Sequence, residues 1–382
     1  MSKQSQILLG LALVAIVAGV VIWQGSARPQ STTVQPFGSA QGKPLKVGAI
    51  LSLTGSLDFV GKGMQQGMEL ARADYPNTLV EVSYEDDKSL DRTAAVGAVS
   101  KLINVDRAAL IFNTAVNETN VMAPILNREH VPGVTLWDSD QLIANAGEYV
   151  FTVGYGTELN GERMAEFAYR QLGLRHIAVV SAKEEWSTII SDAFTKRFSA
   201  LGGTIDLHEK INLEETDLRG IILKVKQAKS EALYFPTFLQ SLPSIIRQSR
   251  ELGFRGKLLT GDTVSADDLK NLGKYTEGVY MTQIWLDNPE IKAKYEKKYG
   301  PTDGINLAFV GLGYDAIKLA AEVAQKLQAA GQPITPQAVQ QALIGYRLNG
   351  LTGQVTLAPG KLTTKRESIL VVKNGQFTLV EK

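Results

Sequence analysis

Apolar and polar positions alternate in blocks along the chain from Leu45 onward. Short apolar runs typical of buried strands lie at residues 46–53, 79–85, 108–112, 133–137, 149–153, 176–182, 204–211, 231–235, 257–261 and 278–284. Segments with helical spacing lie between them, near 61–74, 91–104, 117–129, 158–172, 187–201, 216–229 and 239–252. Strands that alternate with helices predict parallel sheets covered on both faces. Two such series predict an α/β protein of two similar lobes.

The last hundred residues break this rhythm. Three helix-like segments (289–299, 305–330 and 335–344) have no strands of their own and must cover an existing sheet. An antiparallel pattern follows, in which Asn374-Gly375 is a strong hairpin signal. We therefore expect three hinge crossings between the lobes. Lobe 1 is predicted to comprise 45–155 and 284–345, and lobe 2 to comprise 156–283 and 346–382.

The N-terminus carries an apolar stretch, ILLGLALVAIVAGVVIW at residues 7–23. Its length is near the lower limit of about 17 residues for a membrane-spanning helix and exceeds the usual apolar core of a cleaved signal. Residues 1–27 are therefore predicted to be a membrane anchor or a signal segment, and 28–44 a flexible linker. Either alternative places the rest outside the cytoplasm, and we expect a tether to the membrane.

Composition and charge exclude several classes of function. The 40 basic and 39 acidic residues leave a net charge of +1, without the electrostatic footprint of a nucleic-acid-binding protein. The absence of cysteine excludes disulfides, thiolate metal sites and a cysteine nucleophile. The three histidines do not have metal-ligand spacing, and no G-x-S-x-G motif occurs. We therefore expect no enzyme activity, no metal and no cofactor.

A glycine-rich bend follows the first strand, in VGAILSLTGSLDFVGKGMQQGMELA at residues 47–71. Five residues separate Gly55 from Gly61, and no Ser or Thr follows Lys62, so the spacing of a phosphate-binding P-loop is absent. In an open parallel sheet, ligands bind at the carboxyl ends of the strands. These ends lie at 52–55, 113–119, 137–139, 182–187, 236–240 and 261–264. We expect them to line a cleft between the lobes.

Several motifs resemble one known family. They are LSLTGSLDFVGKGMQQGMELA, YEDDKSLDRTAAVGAVSKLI, GFRGKLLTGDTV with EGVYMTQIW, and GLGYDAIKLAAEVAQKL. Over residues 45–382 the chain resembles the type I periplasmic binding proteins of the leucine/isoleucine/valine-binding group, the solute receptors of ABC importers. The resemblance implies that Trp186 and Phe238 pack on the ligand and that Asp262 pairs with a ligand ammonium. A residue-based alternative is that Asp262 only caps the helix after Thr263.

The chain departs from the family where a ligand carboxylate would bind. The serine-rich turn of the family is replaced by NTAVNETN, with Asn117, Glu118 and Thr119, and the facing loop reads LWDSD, with Trp137 and Asp138. These changes remove anion-binding groups and add acids, so a cationic, amide or polyol-like solute becomes an alternative to an α-amino acid. The candidate ligand-binding residues are Thr54, Asn117, Thr119, Asp138, Ser139, Trp186, Phe238 and Asp262.

The expected function is that of an extracytoplasmic receptor that closes on a small polar solute, an amino acid or an amide-like molecule. Its expected partners are this solute, the membrane permease subunits of an ABC importer, and the membrane itself through the N-terminal segment. The alternative is a membrane-anchored sensing module of a signalling system. The sequence leaves open the identity of the solute, cleavage of the N-terminal segment, the oligomeric state and the choice between transport and sensing.

Overall fold

The computed structural model describes residues 43–76 and 80–381. Its strands are β1 (Leu45–Leu51), β2 (Val80–Asp86), β3 (Leu110–Asn113), β4 (Gly133–Thr135), β5 (Asp138–Ser139), β6 (Val150–Thr152), β7 (Tyr155–Gly156), β8 (His176–Ala182), β9 (Thr204–Ile211), β10 (Ala232–Tyr234), β11 (Lys257–Thr260), β12 (Val279–Gln283), β13 (Arg347–Gly350), β14 (Gly353–Thr356), β15 (Ser368–Lys373) and β16 (Gln376–Glu381).

Helices connect most of these strands. They are α1 (Asp58–Asp74), α2 (Arg92–Asn104), α3 (Val116–Glu129), α4 (Gln141–Ala144), α5 (Thr157–Glu166), α6 (Glu185–Ala200), α7 (Arg219–Gln227), α8 (Ser241–Glu251), α9 (Ala266–Leu272), α10 (Pro289–Tyr299), α11 (Gly304–Ala329) and α12 (Pro336–Leu343). A π-helical turn, Phe167–Gln171, continues α5, and a 3-10 turn, Gly273–Thr276, follows α9.

Two large sheets organise the described part of the chain. The first has the order β2-β1-β3-β4-β6, and all of its strand pairs are parallel. Helices α1, α2 and α11 pack against β1, whose residues are almost all buried. We call this sheet with its helices lobe 1.

The second sheet has the order β16-β15-β12-β11-β10-β8-β9, and together with its helices we call it lobe 2. Strands β8 to β12 are parallel, whereas β15 and β16 add an antiparallel edge. The predicted Asn374-Gly375 turn joins β15 to β16, and both residues have positive φ angles, as a tight hairpin turn requires. The predicted α/β fold with two parallel sheets flanked by helices is confirmed.

The glycines of the first helix serve helix packing. A Cβ on Gly67 would lie 1.9 Å from the carbonyl oxygen of Val310 in α11, and one on Gly313 would lie 1.8 Å from that of Met64 in α1. Only residues without a Cβ allow α1 and α11 to approach this closely. The glycine-rich pattern therefore reports contact between two helices of lobe 1.

The segments that connect the lobes lie side by side. The amide of Gly156 donates to the carbonyl of Lys365 (2.9 Å), and the Thr363 hydroxyl donates to the carbonyl of Gly154 (2.7 Å). Before the last connection, the hairpin β13–β14 packs on α11, where Asp315 accepts hydrogen bonds from its turn. The chain returns to lobe 2 through residues 357–367 after this hairpin.

Within residues 43–76 and 80–381, no helix is both long enough and apolar enough to cross a bilayer. The predicted anchor or signal segment and most of the predicted linker lie outside the described residues.

Candidate functional site: a closed cleft between the lobes

A small cavity separates the carboxyl ends of the strands of the two lobes. Its lining consists of Leu57, Leu90, Ala115, Asn117, Trp137 and Asp138 from lobe 1 and of Trp186, Phe238 and Thr263 from lobe 2. Its volume of about 20 Å³ leaves room for roughly one water molecule. Two wider grooves of about 530 and 430 Å³ share residues with it and open to solvent. The cleft is therefore in a closed arrangement.

Aromatic side chains form much of the cavity wall. Trp186 and Phe238 meet edge to face with ring centroids 6.0 Å apart, and Trp137 packs against Phe309 with centroids 5.2 Å apart. All three cavity-lining aromatics are nearly buried, with 4–6% of their surface exposed. The ring of Trp186 lies over Gly261, at the end of β11, where a Cβ would come within 2.7 Å of it. Trp186 and Phe238 thus contact each other in the cavity wall.

Polar contacts between the lobes hold the cleft shut. The side-chain amide of Asn117 donates to Glu184 Oε2 (3.1 Å), and that of Asn120 donates to Glu185 Oε1 (3.2 Å). Arg92 forms an ion pair with Glu185 across the same interface. Glu184 also accepts the Trp186 amide (2.9 Å) at the beginning of α6, and burial raises its pKa to about 7.

The beginning of α3 carries two carboxylates of the protein itself. The amide of Ala115 donates to Glu118 Oε2, and the amide of Val116 donates to Asp138 Oδ2, both at 2.8 Å. Glu118 and Asp138 are almost fully buried. Burial raises the pKa of both groups well above the usual range; Asp87 adds to the effect on Glu118, and Asp140 and Asp262 add to it on Asp138. Sequence reasoning found these acids but did not predict that they bind the free amides of the helix.

Asp262 lies behind the cavity lining, beside a second buried acid, Glu367. Burial raises the pKa of Asp262, and burial together with Asp262 raises that of Glu367 well above its usual range. Oδ1 of Asp262 and both carboxylate oxygens of Glu367 lack hydrogen-bond partners among the described residues. The alternative that Asp262 caps the next helix is wrong, because the Ser265 hydroxyl accepts the Asp268 amide and caps α9. Glu367 was missed, since it lies in a charged, strand-free segment that gives no sign of burial.

Besides Asp262, three more predicted ligand residues lie outside the cavity lining. Thr54 is exposed and donates to Asp86 Oδ2 (2.6 Å). The Thr119 hydroxyl is buried within lobe 1, 2.6 Å from that of Thr135. The Ser139 hydroxyl accepts the Thr363 amide (2.9 Å) in the connection between the lobes. The structure therefore brings together Asn117, Asp138, Trp186 and Phe238 at the cavity, with Asp262 behind them.

Comparison with known proteins gives consistent matches in sequence and structure. The sequence profile of the periplasmic binding protein family matches residues 44–375. The chain is 22% identical over 334 residues to the Leu/Ile/Val-binding protein of Escherichia coli K12, covering 83% of this chain and 87% of the relative. A match to an amino acid binding protein of Pseudomonas aeruginosa, 21% identical over 201 residues, covers 51% of this chain and only 54% of that relative.

Solved structures share the fold at low sequence identity. A leucine binding protein from Thermotoga maritima superposes with a TM-score of 0.79 at 24% identity, covering 88% of this chain and 97% of that one. A solute binding protein of an ABC transporter from R. palustris, in complex with 4-hydroxybenzoate, superposes with a TM-score of 0.75 at 21% identity. The match covers 89% of this chain and 96% of that one. The matched profile names a family of binding proteins, so the prediction that the chain is not an enzyme is confirmed. With the family profile extending over 44–375, the chain belongs to the periplasmic binding protein family.

Proposed function

We propose that this chain is the extracytoplasmic receptor of an ABC importer that closes its two lobes on a small polar solute. The observation that carries the proposal is the cavity enclosed by side chains of both lobes and closed by the Asn117–Glu184 hydrogen bond. The Leu/Ile/Val-binding relative and the 4-hydroxybenzoate complex support small organic solutes as the ligand class. The lobes would comprise 45–155 with 284–345 and 156–283 with 346–382, except that the β13–β14 hairpin would belong to lobe 1, against whose helix α11 it packs.

The closed cavity is too small for an amino acid, so binding requires the lobes to separate first. The solute then stabilises a closed form by contacting both lobes, and only its differential affinity for that form shifts the equilibrium. Trp186 and Phe238 from lobe 2 and Asn117 and Asp138 from lobe 1 would supply these contacts. Permease subunits would recognise the closed form, and residues 1–27 would hold the receptor at the membrane.

Closure can be measured with fluorescent labels because the chain has no cysteine. Val96 in lobe 1 and Leu223 in lobe 2 are exposed, so a Val96→Cys/Leu223→Cys protein accepts a donor and an acceptor dye. A solute that raises the melting temperature in a thermal-shift screen should also change energy transfer between the dyes. The control pair Val96→Cys/Val105→Cys lies within lobe 1 and should not respond. Unchanged transfer with every stabilising solute would refute hinge closure.

A further inference from the structure

The cleft end of α3 already binds two carboxylates of the protein itself. A helix N-terminus binds an anion through its unpaired amide groups. Here the Ala115 amide binds Glu118 and the Val116 amide binds Asp138, each at 2.8 Å. The protein's own carboxylates therefore occupy two of the amides that could bind a ligand carboxylate, and a second anion there would lie beside Asp138.

One oxygen acceptor at the cavity has no donor among the described residues. Asn117 Oδ1 is unpaired, although Asn117 is only 5% exposed and lines the cavity. Buried polar groups in native proteins nearly always have a partner. The neighbouring acid, Asp138, uses Oδ2 for the Val116 amide and lines the same cavity. Asn117 Oδ1 is therefore suited to receive an N–H group from a bound solute, with Asp138 close by.

The charge around the cavity has one sign. The lining residues, all within the described ranges, include Asp138 but no Lys, Arg or His. Glu184 and Asp262 lie close enough to Asp138 to raise its pKa further by repulsion, beyond the effect of burial. Placing a positive charge among these acids would offset both the repulsion and the loss of hydration.

The remaining wall of the cavity is suited to an apolar body next to a cation. The rings of Trp137, Trp186 and Phe238 line it, together with Leu57 and Leu90. An aromatic ring attracts a cation that lies over its face within about 6 Å. Aliphatic and aromatic groups of a solute would contact the two leucines and the ring edges.

We propose that the solute is an organic amine that carries a positive charge and no carboxylate, bound with its ammonium toward Asp138 and Asn117. This inference rests on the proposed receptor function and specifies its ligand class. Asp262, behind the cavity, is a further acid near the bound ammonium. The proposal departs from the α-amino acid that the family resemblance implies.

The test compares solutes that differ only in their charged groups. Calorimetric titration of the full chain would use 3-methylbutylamine, leucine and 4-methylpentanoate, which share one branched body, and the pair benzylamine and benzoate. Each amine should bind at least tenfold more tightly than leucine or the matched acid. Tighter binding of leucine, benzoate or 4-methylpentanoate than of the matched amine would overturn the proposal, as would the absence of binding by both amines.

A second test replaces Asp138 and measures whether the preference for amines over leucine changes. In Asp138→Asn the amide oxygen can still accept from Val116, so the helix end stays paired while the charge is lost. The affinity for the amines should fall at least tenfold, so the ratio of leucine affinity to amine affinity should rise. Asp138→Ser also frees the Val116 amide and should raise this ratio further. The control Asp267→Asn removes an exposed acid from the solvent-open groove of about 530 Å³ and should change neither affinity. Unchanged amine affinity in Asp138→Asn would contradict the proposal.

The two proposals can fail separately. If leucine or benzoate closes the labelled lobes and the amines do not, the receptor function stands and the amine proposal is wrong. If the amines bind without any change in energy transfer between the lobes, the ligand class stands and hinge closure is wrong.

Discussion

Two buried aspartates, Asp315 and Asp262, differ in how completely the protein satisfies them. Asp315 accepts the amides of Leu351 (2.6 Å) and Thr352 (3.0 Å) and the Thr352 hydroxyl (2.6 Å), and the Lys365 ammonium lies near enough to lower its pKa against the effect of burial. Asp262 has another acid, Glu367, as its neighbour and keeps an unpaired oxygen.

The difference separates a structural acid from one available for binding. A buried carboxylate with several donors and a nearby cation stabilises the fold, and its removal leaves the cation unpaired. A buried carboxylate beside a second acid costs stability until a positive group approaches it. The first situation occurs at the β13–β14 hairpin and the second directly behind the cavity, so the incompletely paired acids lie close to the proposed ligand.

The largest effect is expected from breaking the satisfied site. Asp315→Ala should lower the free energy of unfolding by about 3 kcal/mol, because it removes three hydrogen bonds and leaves the half-buried Lys365 without a counter-charge. Urea denaturation measures the loss. Solute affinity per folded molecule should stay close to that of the unchanged protein. A loss below about 1 kcal/mol would show that Asp315 is not the anchor of the hairpin.

An intermediate effect is expected from Glu184, as a dependence of stability on pH. Its pKa rises from 4.5 to about 7 on folding, so the native state holds a proton that the unfolded chain has released. Stability should therefore fall as pH rises from 4.5 to 7, by about 3 kcal/mol from this group, and stay level above that range.

Replacing Glu184 isolates this contribution. As pH rises from 4.5 to 7, the unchanged protein should lose the stability that comes from Glu184, whereas Glu184→Gln should not. The variant should therefore gain stability relative to the unchanged protein over this range. Glu214→Gln alters an exposed acid of the solvent-open groove of about 430 Å³. This control should leave the dependence of the unfolding free energy on pH unchanged. A pH-independent difference between Glu184→Gln and the unchanged protein would contradict the assignment.

The smallest effect has the opposite sign to that at Asp315. Asp262→Asn should raise the free energy of unfolding at pH 7 by about 1 kcal/mol, because an amide removes one acid of the buried pair. Glu367→Gln should act in the same direction. The same urea experiment checks both variants. Destabilisation by Asp262→Asn would mean that the pair already has a partner in solution, and the contrast with Asp315 would disappear.

Much of the cleft could be predicted from the chain because sheet topology determines which residues meet. Asn117, Asp138, Trp186 and Phe238 each follow a parallel strand, and the carboxyl ends of parallel strands share one edge. Thr119 and Ser139 follow the same strands but point into lobe 1 and toward the lobe connection. Strand position alone does not distinguish these directions, because the turn after each strand sets the orientation of the side chain.

The pattern of apolar residues by itself determined the α/β class, the two series of strands and the Asn374-Gly375 hairpin, because these features depend on local periodicity and turn chemistry. Only the tertiary structure decided that Glu118 and Asp138 occupy the amides of α3, and that Glu367, far along the chain, lies beside Asp262. Hydrogen bonds and electrostatic interactions act over a few ångströms in space, and separation along the chain does not specify that distance.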